Sequence, residues 1–543
     1  MSFQAGKSYF IAQPSVHIRA TASAKAKSLN HLIFGDWVRC LESESGGWVK
    51  IYSRRKSGFV REDELTQNRA LEVNFLDIGQ GDSAHIVTPD DQVMIIDGGM
   101  TNNLYRFLAW RYNLRQRDEN TAPFDIDYVV ISHPDKDHYY GLRHVFAEPK
   151  LSIKTVLHNG IFEKKDAPGE KAADKAAGFA WSSDLGRAYR PKRGTTYLLD
   201  LVRTTTDMRR VVAQQAGLNS AKNYFQTFDA LRDNPSNAGC TYRMIDASDG
   251  FLDGFEDGKP LSIEILGPVT EEVEIDGKTH TVLRTLGKES ETKNGHSVIF
   301  RFKIGAIRIL LGGDLNTASE DYLLRHYTGI QEDASDLDKA IYKLERKGSS
   351  ATPDEIRELD ASRAARDHIV AVARSRFEVD VAKACHHGSH HFSETFLKAL
   401  NAIATVISSG DEESYGHPRP DALGAFGKCG RGHRPLIFST EIARSTREFT
   451  PIKAYFDKLR DYEAKIAAAE DAAEKKRLTE WMEGAKDSNV ARYGMVTLRT
   501  DGTTTIIATK LEVPNGDTKW DIHQLEINAD TGQVEYRDKT KEH

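Results

Sequence analysis

The chain has 543 residues, 39% hydrophobic and 28% charged, with a net charge of −6; this is a soluble composition, long enough for two or more domains. No apolar run of about 18 residues spans a membrane as a helix, no basic-then-apolar leader opens the chain, and an acidic chain can grip nucleic acid only through a local basic patch. Cys40, Cys240, Cys385 and Cys429 stand far apart with no C-x-x-C pair, which argues against a disulfide framework or a thiolate zinc site and predicts a cytoplasmic protein.

In chain order, residues 1–67 come first. "VHIRA", "GDWVRCLE", "GGWVKIYS" and "SGFVRED" alternate over short spans with Gly at the turns, the pattern of a small β-barrel. Gly35-Asp36, Gly47-Trp48-Val49 and Gly58-Phe59-Val60 give this stretch a resemblance to bacterial SH3-type domains. That implies a binding role towards peptide, cell-wall material or a neighbouring domain, or simple packing onto the rest of the chain. From residue 71 the rhythm changes. "LEVNFLDIGQGDSAHIVT", "VMIIDGG", "DYVVISHPD", "HSVIFRFKIGAIRILLGGD", "DVAKACHHG" and "ATVISSG" are apolar, β-branched runs ending in Gly, Asp or His, the look of buried strands. Helical stretches such as "SETFLKALNA" alternate with them, which predicts α/β layers over 70–512. Three insertions interrupt the pattern: 161–240, polar and mixed; 318–378, charged and helical; and 451–488. In the last, Tyr455, Leu459, Tyr462, Ile466, Ala469 and Ala473 form an apolar stripe at 4-3 spacing. It predicts a helical hairpin leaning on its own domain, with a dimer seam or partner site as the alternative. Residues 513–543 read as C-terminal strands or a tail.

The chemistry is concentrated in "SHPDKDHYYGL", which packs His133, Asp135, Asp137 and His138 into six positions after an apolar strand. Carboxylates and imidazoles at this density, once buried, need a cation among them. Asp97 ends "IIDGG", Asp314 ends "LLGGD", His386 and His387 follow another strand in "CHHGSHHFSE", and His417 lies in "SYGHPRP". Strand ends are where α/β folds build sites. The loop "DIGQGDS" (Asp77 to Ser83) lacks P-loop spacing and is read as a tight turn that supports the site, with Asp82 or Gln80 close to it.

Taken together, "FLDIGQGDS", "MIIDGG", "SHPDKDHYYGL", "NGHSVIFRF…ILLGGDL", "CHHGS" and "YGHPRPDAL" resemble the metallo-β-lactamase-like domain of the competence protein ComEC and its free-standing relatives. The resemblance covers about 71–440 and extends to 512, leaving out the insertions, and implies an αββα sandwich with helical insertions, preceded here by the SH3-like barrel. It also implies two divalent ions. His133, Asp135 and one of His386 and His387 would hold the first; Asp137, His138 and His417 the second; Asp314 would bridge them, with Asp97, Asp77 and Asp82 behind. The carboxylate Asp135 hardens the site, so Mn²⁺ stands beside Zn²⁺ as its metal. The chain departs from these relatives at His296-Ser297, where they carry Asn-Ser, and at Tyr139-Tyr140, where they carry Gly-Gly.

The function implied is phosphodiester hydrolysis by a hydroxide held between the ions. Asp137 would position it, the spare imidazole of His386 and His387 would steady the phosphorane charge or protonate the leaving oxygen, and Ser389 would bond a phosphate oxygen or cap its turn. DNA is the expected substrate. Basic clusters at Arg54-Arg55-Lys56, Arg190-Pro191-Lys192-Arg193, Arg209-Arg210 and 428–435 permit a DNA path. The alternatives are hydrolysis of a small nucleotide or signalling dinucleotide, and an adaptor whose metal site is structural. A protein partner at the SH3-like barrel or the 451–488 helix, and a homodimer, complete the expectations.

Overall fold

The computed structural model describes residues 3–44, 46–118, 120–163, 178–182, 184–191, 194–215, 223–410, 416–440, 453–490 and 494–536. Short alternating runs at the N-terminus pair into a seven-stranded antiparallel sheet from Ser8–Ile11 to Leu65–Thr66. Alternation puts Val16, Ile18, Leu32, Val38, Val49 and Val60 on one side, where they form a core of their own.

The continuous apolar runs that follow build two sheets packed face to face. The first has ten strands, and in it Val93–Ile96, Phe124–Ile131, Leu151–His158 and Thr241–Met244 run parallel. The second has six, with Ile307–Leu311, Val381–Lys383, Ala404–Ile407 and Leu436–Ser439 parallel. Val73, Phe75, Ile86, Val130, Phe300 and Ile309 belong to the core between them. Helices Asn103–Arg111, Leu142–Phe146 and Asn223–Asp233 cover the outer face of the first sheet through Leu104, Phe107, Phe146 and Phe228. Helices Thr317–Thr328, Pro353–Phe377 and Glu394–Leu400 cover the second through Tyr322, Ile369, Phe377 and Phe396. The result is an αββα sandwich, because each sheet carries apolar residues on both faces and needs a helix layer outside.

The insertions take distinct shapes. The described part of 161–240 supplies helices Thr205–Gln215 and Asn223–Asp233. It also gives three short strands to a five-stranded side sheet completed by Glu271–Ile275 and Lys278–Arg284. The 318–378 region is three helices, as its charge pattern predicts. Residues 453–490 form a helical hairpin, Lys453–Ala468 and Ala472–Val490. Its second helix buries Leu478 and Ala485, and its Lys486 carbonyl accepts from Arg106 Nη2 at 2.7 Å on helix Asn103–Arg111. Along the stripe, Leu459, Tyr462, Ile466 and Ala469 are half-buried and Ala473 is exposed, and the side chain of Tyr455 lies outside the described residues. Strands Thr505–Asn515, Thr518–Ile527 and Val534–Tyr536 extend the ten-stranded sheet past residue 512.

The N-terminal sheet is locked to the sandwich. Ile33 and Phe34 enter the core of the first outer layer. Asp36 takes Arg54 at 2.7 and 2.9 Å, the Ile33 amide at 3.0 Å, and Arg499 of the large sheet at 2.9 Å. Arg499 also reaches Glu72 at 3.4 Å, which Arg111 holds from its other oxygen at 2.9 Å. Against the opposing effect of burial, these arginines keep the Asp36 carboxyl below the usual range and Glu72 well below it. Among the described residues no helix is long and apolar enough to cross a membrane.

Candidate metal centre

The parallel strands of both sheets deliver their C-terminal ends to one edge of the sandwich, the position at which open α/β sheets gather ligands. Val93–Ile96 ends in Asp97, Phe124–Ile131 in Ser132 to His138, Ile307–Leu311 in Gly312-Gly313-Asp314, and Val381–Lys383 in Cys385 to His387. Two glycines permit the approach. A Cβ on Gly81, at φ +102, would lie 1.8 Å from the Asp137 carbonyl, and one on Gly313, at φ +55, would lie 2.6 Å from Ser297 Oγ. Asp97, His386 and His387 take left-handed backbone at φ 59, 51 and 53. Such strain in non-glycine residues gathers at functional sites, where the surrounding structure holds it.

Asp314 is the hub. Its Oδ2 lies 3.2 Å from His138 Nε2, 3.2 Å from His387 Nε2 and 4.0 Å from His386 Nε2. His387 Nε2 also stands 3.8 Å from Asp137. Each of the two central imidazoles is held from behind by a carboxylate. His138 Nδ1 donates to Asp97 at 2.8 Å, and Asp97 is fixed in turn by the Ser132 amide at 2.7 Å and hydroxyl at 2.6 Å. His387 Nδ1 lies 3.2 Å from the Ser408 carbonyl and 3.3 Å from Asp82 Oδ1. This carboxylate–imidazole pairing turns both Nε2 atoms into the cluster, as the outer partners of metal-binding histidines do. Asp82 thus backs the site, and the expected turn "DIGQGDS" carries it there. Asp77 packs against Gly494, where an added Cβ would meet its Oδ2 at 2.1 Å.

The remaining predicted residues stand around this hub. His133 is fully buried, with Nδ1 3.0 Å from Ser132 Oγ and 3.3 Å from Ser297 Oγ. Asp135 lies 3.9 Å from His133 Nε2, but its closest partner is Lys293 Nζ at 2.6 Å. The His417 ring is 6.1 Å from that of His386 and 6.3 Å from that of His387. Ser389 Oγ accepts the His391 amide at 3.0 Å, a turn cap. Of the basic clusters, Arg210 is paired to Asp207 at 2.9 Å and Lys428 to Glu394 at 2.8 Å, and Arg431 is held by Asp380. Lys192, Arg193 and Tyr415 lie outside the described residues.

Two lysines that sequence reasoning missed complete the centre. Lys383 is buried with its ammonium on Asp82, 2.9 Å from the Gly313 carbonyl and 3.8 Å from Asp314. Its one signal in the sequence is a cation inside the apolar run "DVAKA" just before "CHHG". Lys293, from "SETKNGHS", reaches Asp135, Glu163 at 3.1 Å and Asp184 at 3.6 Å, and so ties the 161–240 insertion to the site. Nothing local marks it. The departures from the ComEC-like pattern also find places. Ser297 accepts the Asp314 amide at 3.0 Å, and His296 Nε2 lies 2.6 Å from the Arg284 carbonyl. Tyr139 packs edge-on against Tyr224 of helix Asn223–Asp233 at 4.6 Å, and Arg143 lies 3.4 Å above the Tyr140 ring. Where Gly-Gly would leave the surface bare, Tyr139 gives the insertion a wall to pack on.

The donor set fits a divalent cation. Nε2 of His133, His138 and His387 and Oδ1 of Asp314 are buried without a hydrogen-bond partner, a condition that native structures seldom leave unexplained. Asp82, His138, Asp314 and His387 each offer an atom within 4.8 Å of the others. Burial works against protonating His138 and His387, yet Asp314 and Asp97 push His138 well above its ordinary pKa. Asp314 and Asp82 likewise push His387 up to about 10. The carboxylates therefore demand positive charge at this point, and a metal ion supplies it without protons. The Cys385 thiol is pushed up by burial, so it offers no thiolate.

The family model of the metallo-beta-lactamase superfamily matches residues 78–349. That span is half of the chain and includes His133 to His138 and Asp314; His386, His387 and His417 come after it. No curated protein matches the chain.

Proposed function

The chain belongs to the metallo-beta-lactamase superfamily, and on that premise we propose that it is a divalent-metal-dependent phosphodiester hydrolase acting on DNA. The observation that carries this reading is the buried donor cluster at the strand ends, in which the Asp314 carboxylate faces the Nε2 atoms of both His138 and His387, with the partly exposed Asp137 3.8 Å from His387 Nε2. His387 is then the ligand of the histidine pair, and His133, Asp135 and His417 extend the set towards a second ion. Carboxylate-rich donors favour Mn²⁺ beside Zn²⁺. When bound, such ions lower the pKa of water and offset the charge that develops at phosphorus.

The chain's own residues do the rest. Asp97 and Asp82 fix the tautomer and aim of His138 and His387. Lys383 neutralises part of the carboxylate charge, so that the cluster folds before any ion arrives. Asp137, whose side chain keeps 22% exposure, faces the solvent side and accepts a proton from the attacking water. His386 keeps 24% exposure beside Asp314, which suits the imidazole that protonates the leaving oxygen. The order of motifs supports a ComEC-like enzyme, with residues 1–67 as an SH3-like module fused to a catalytic domain over 70–512, and the four dispersed cysteines suit the cytoplasm. The stripe on the 451–488 hairpin offers a seam for a partner or a second copy.

A second reading, hydrolysis of a small cyclic dinucleotide, is favoured by Lys293. Its bonds to Asp135, Glu163 and Asp184 bring the insertion against the centre, where it can roof a small pocket. Purified protein with Mn²⁺ or Zn²⁺ should cleave linear or single-stranded DNA, and His138→Ala should not. Cleavage of cyclic dinucleotides alone transfers the assignment to the second reading, and hydrolysis unaffected by His138→Ala removes both.

A further inference from the structure

A cleft of about 1240 Å³ lies away from the metal centre, between the N-terminal sheet, helix Asn103–Arg111, the helical hairpin and the C-terminal strands. Glu72 and Asn74 face it, whereas the alternate residues Leu71, Val73 and Phe75 of the same strand fill the core between the sheets. The cleft therefore opens on the outer side of the sandwich.

Its walls combine aromatic rings with cations. Four Trp and Tyr side chains are exposed among the described residues, Trp37 at 42%, Tyr52 at 38%, Trp481 at 41% and Tyr342; the first three line this one cleft. Trp37 and Tyr52 share a face of the N-terminal sheet, since Tyr52 pairs with Arg39, two residues along from Trp37. Trp481 faces from the hairpin on the other wall. The cleft's two carboxylates, Asp36 and Glu72, are consumed by Arg54, Arg111 and Arg499. Arg55, Lys56 and Lys519 line it in addition, and Lys519 Nζ donates to the neutral Asn30 Oδ1 at 3.0 Å. Lys519 shows the crowding: burial and the charge of Lys56 both depress its pKa. On a chain of net charge −6, so local an excess of positive charge marks a site for a polyanion.

We propose that this cleft binds single-stranded nucleic acid, with Arg55, Lys56 and Lys519 on the phosphates and Trp37, Tyr52 and Trp481 stacked on bases. Cations alone would suit any polyanion. Exposed rings on two facing walls select one that has flat, unpaired bases, the combination found in grooves that track single strands. A duplex hides those faces, and an acidic peptide has none. The inference deepens the nucleic-acid reading above and rests on it only for its purpose, since binding here needs no metal.

The test uses the full-length protein in chelator, so that nothing is cleaved, and follows the fluorescence anisotropy of a labelled oligothymidylate. Binding is expected. The Arg55→Glu/Lys56→Glu variant should weaken it at least tenfold. It should also flatten the slope of log affinity against log salt by about 1.4, two phosphate contacts at about 0.7 each. Trp37→Ala with Trp481→Ala should cost about tenfold or more without changing that slope. Circular dichroism checks that each variant folds. Absence of binding at low salt, binding indifferent to the charge reversal, or equal affinity for a duplex or a polyglutamate peptide each overturns the proposal. Hydrolysis of bis(p-nitrophenyl) phosphate by the wild-type protein with Mn²⁺, measured separately, reports on the catalytic reading. If that hydrolysis is absent while the oligonucleotide binds through this cleft, the catalytic reading falls and the cleft assignment stands.

Discussion

Two buried charge clusters are joined by the strand Leu71–Phe75 and the loop that follows it. At the joint with the N-terminal sheet, two carboxylates, Asp36 and Glu72, meet three guanidinium groups, and all four carboxylate oxygens have partners. At the strand ends, five carboxylates (Asp82, Asp97, Asp135, Asp137 and Asp314) meet two ammonium groups, Lys293 and Lys383, and several donor atoms have no hydrogen-bond partner. The first cluster is closed, each carboxylate oxygen partnered and the guanidinium groups in excess, which is what a structural ion-pair network needs to repay the cost of desolvating its carboxylates. The second carries excess negative charge, with Asp82, Asp97 and Asp314 as buried as Asp36 and Glu72. Only a further cation completes it, and this difference separates a fastening from a site.

The contrast can be broken most directly at His138. His138→Ala should reduce hydrolysis to background and lower bound metal, with the far-UV circular dichroism unchanged; turnover at the wild-type rate would contradict the strand-end centre. At the other cluster, Arg499→Met leaves Asp36 and Glu72 short of a partner. It should cost about 3–5 kcal/mol in denaturant unfolding, equally with and without metal. If the loss appears only with metal present, the two clusters are not independent. Withdrawing metal with a chelator should lower stability by about 2.7 kcal/mol relative to ion at a hundredfold excess over its Kd, read as a shift in melting temperature. A melting temperature indifferent to Mn²⁺ and Zn²⁺ counts against an ion-binding centre. Asp97→Asn keeps the shape but frees His138 Nδ1, and about a 10- to 100-fold loss of activity or metal affinity is expected.

The smallest effects come with pH and have opposite signs at the two clusters. Asp36 and Glu72 are depressed in the fold, so their contribution to stability is present above the ordinary carboxylate range, about pH 4, and is lost as pH falls through their folded values. His387 is raised to about 10, so in the metal-free chain its contribution is full below about pH 6.5 and is lost as pH rises from there to its folded value of about 10. An ion must displace that proton, so chelator competition should show tighter metal binding at about pH 8 than at about pH 6. Affinity independent of pH would mean that the imidazoles are not ligands.

Much of the sandwich was legible because its strands are continuous apolar runs that end in Gly, Asp or His. A strand buried on both faces leaves that signature in any single sequence. The helical character of 318–378 and the hairpin at 453–490 were equally plain from charge and spacing. Lys293 was not, because its partners Asp135, Glu163 and Asp184 are more than a hundred residues away in the chain, and Tyr139 acquired a meaning only when Tyr224 was found against it. The basic groups at 54–56 looked like one patch among four. Folding brought them together with Trp37, Tyr52 and Trp481, while Arg210, Lys428 and Arg431 were taken up by carboxylates.

The sequence by itself determined where the candidate donors lie, since His133 and Asp135 follow one strand, Asp137 and His138 fall on the short helix Lys136–Tyr139 after it, and Asp97, Asp314 and His387 come just past strand ends. Local backbone geometry suffices for that. Which imidazole of the 386–387 pair faces Asp314, which carboxylate stands behind each histidine, and which charges are balanced were decided only by the tertiary structure. Those questions turn on distances of 3–4 Å between segments from both sheets, and no spacing along the chain encodes such distances.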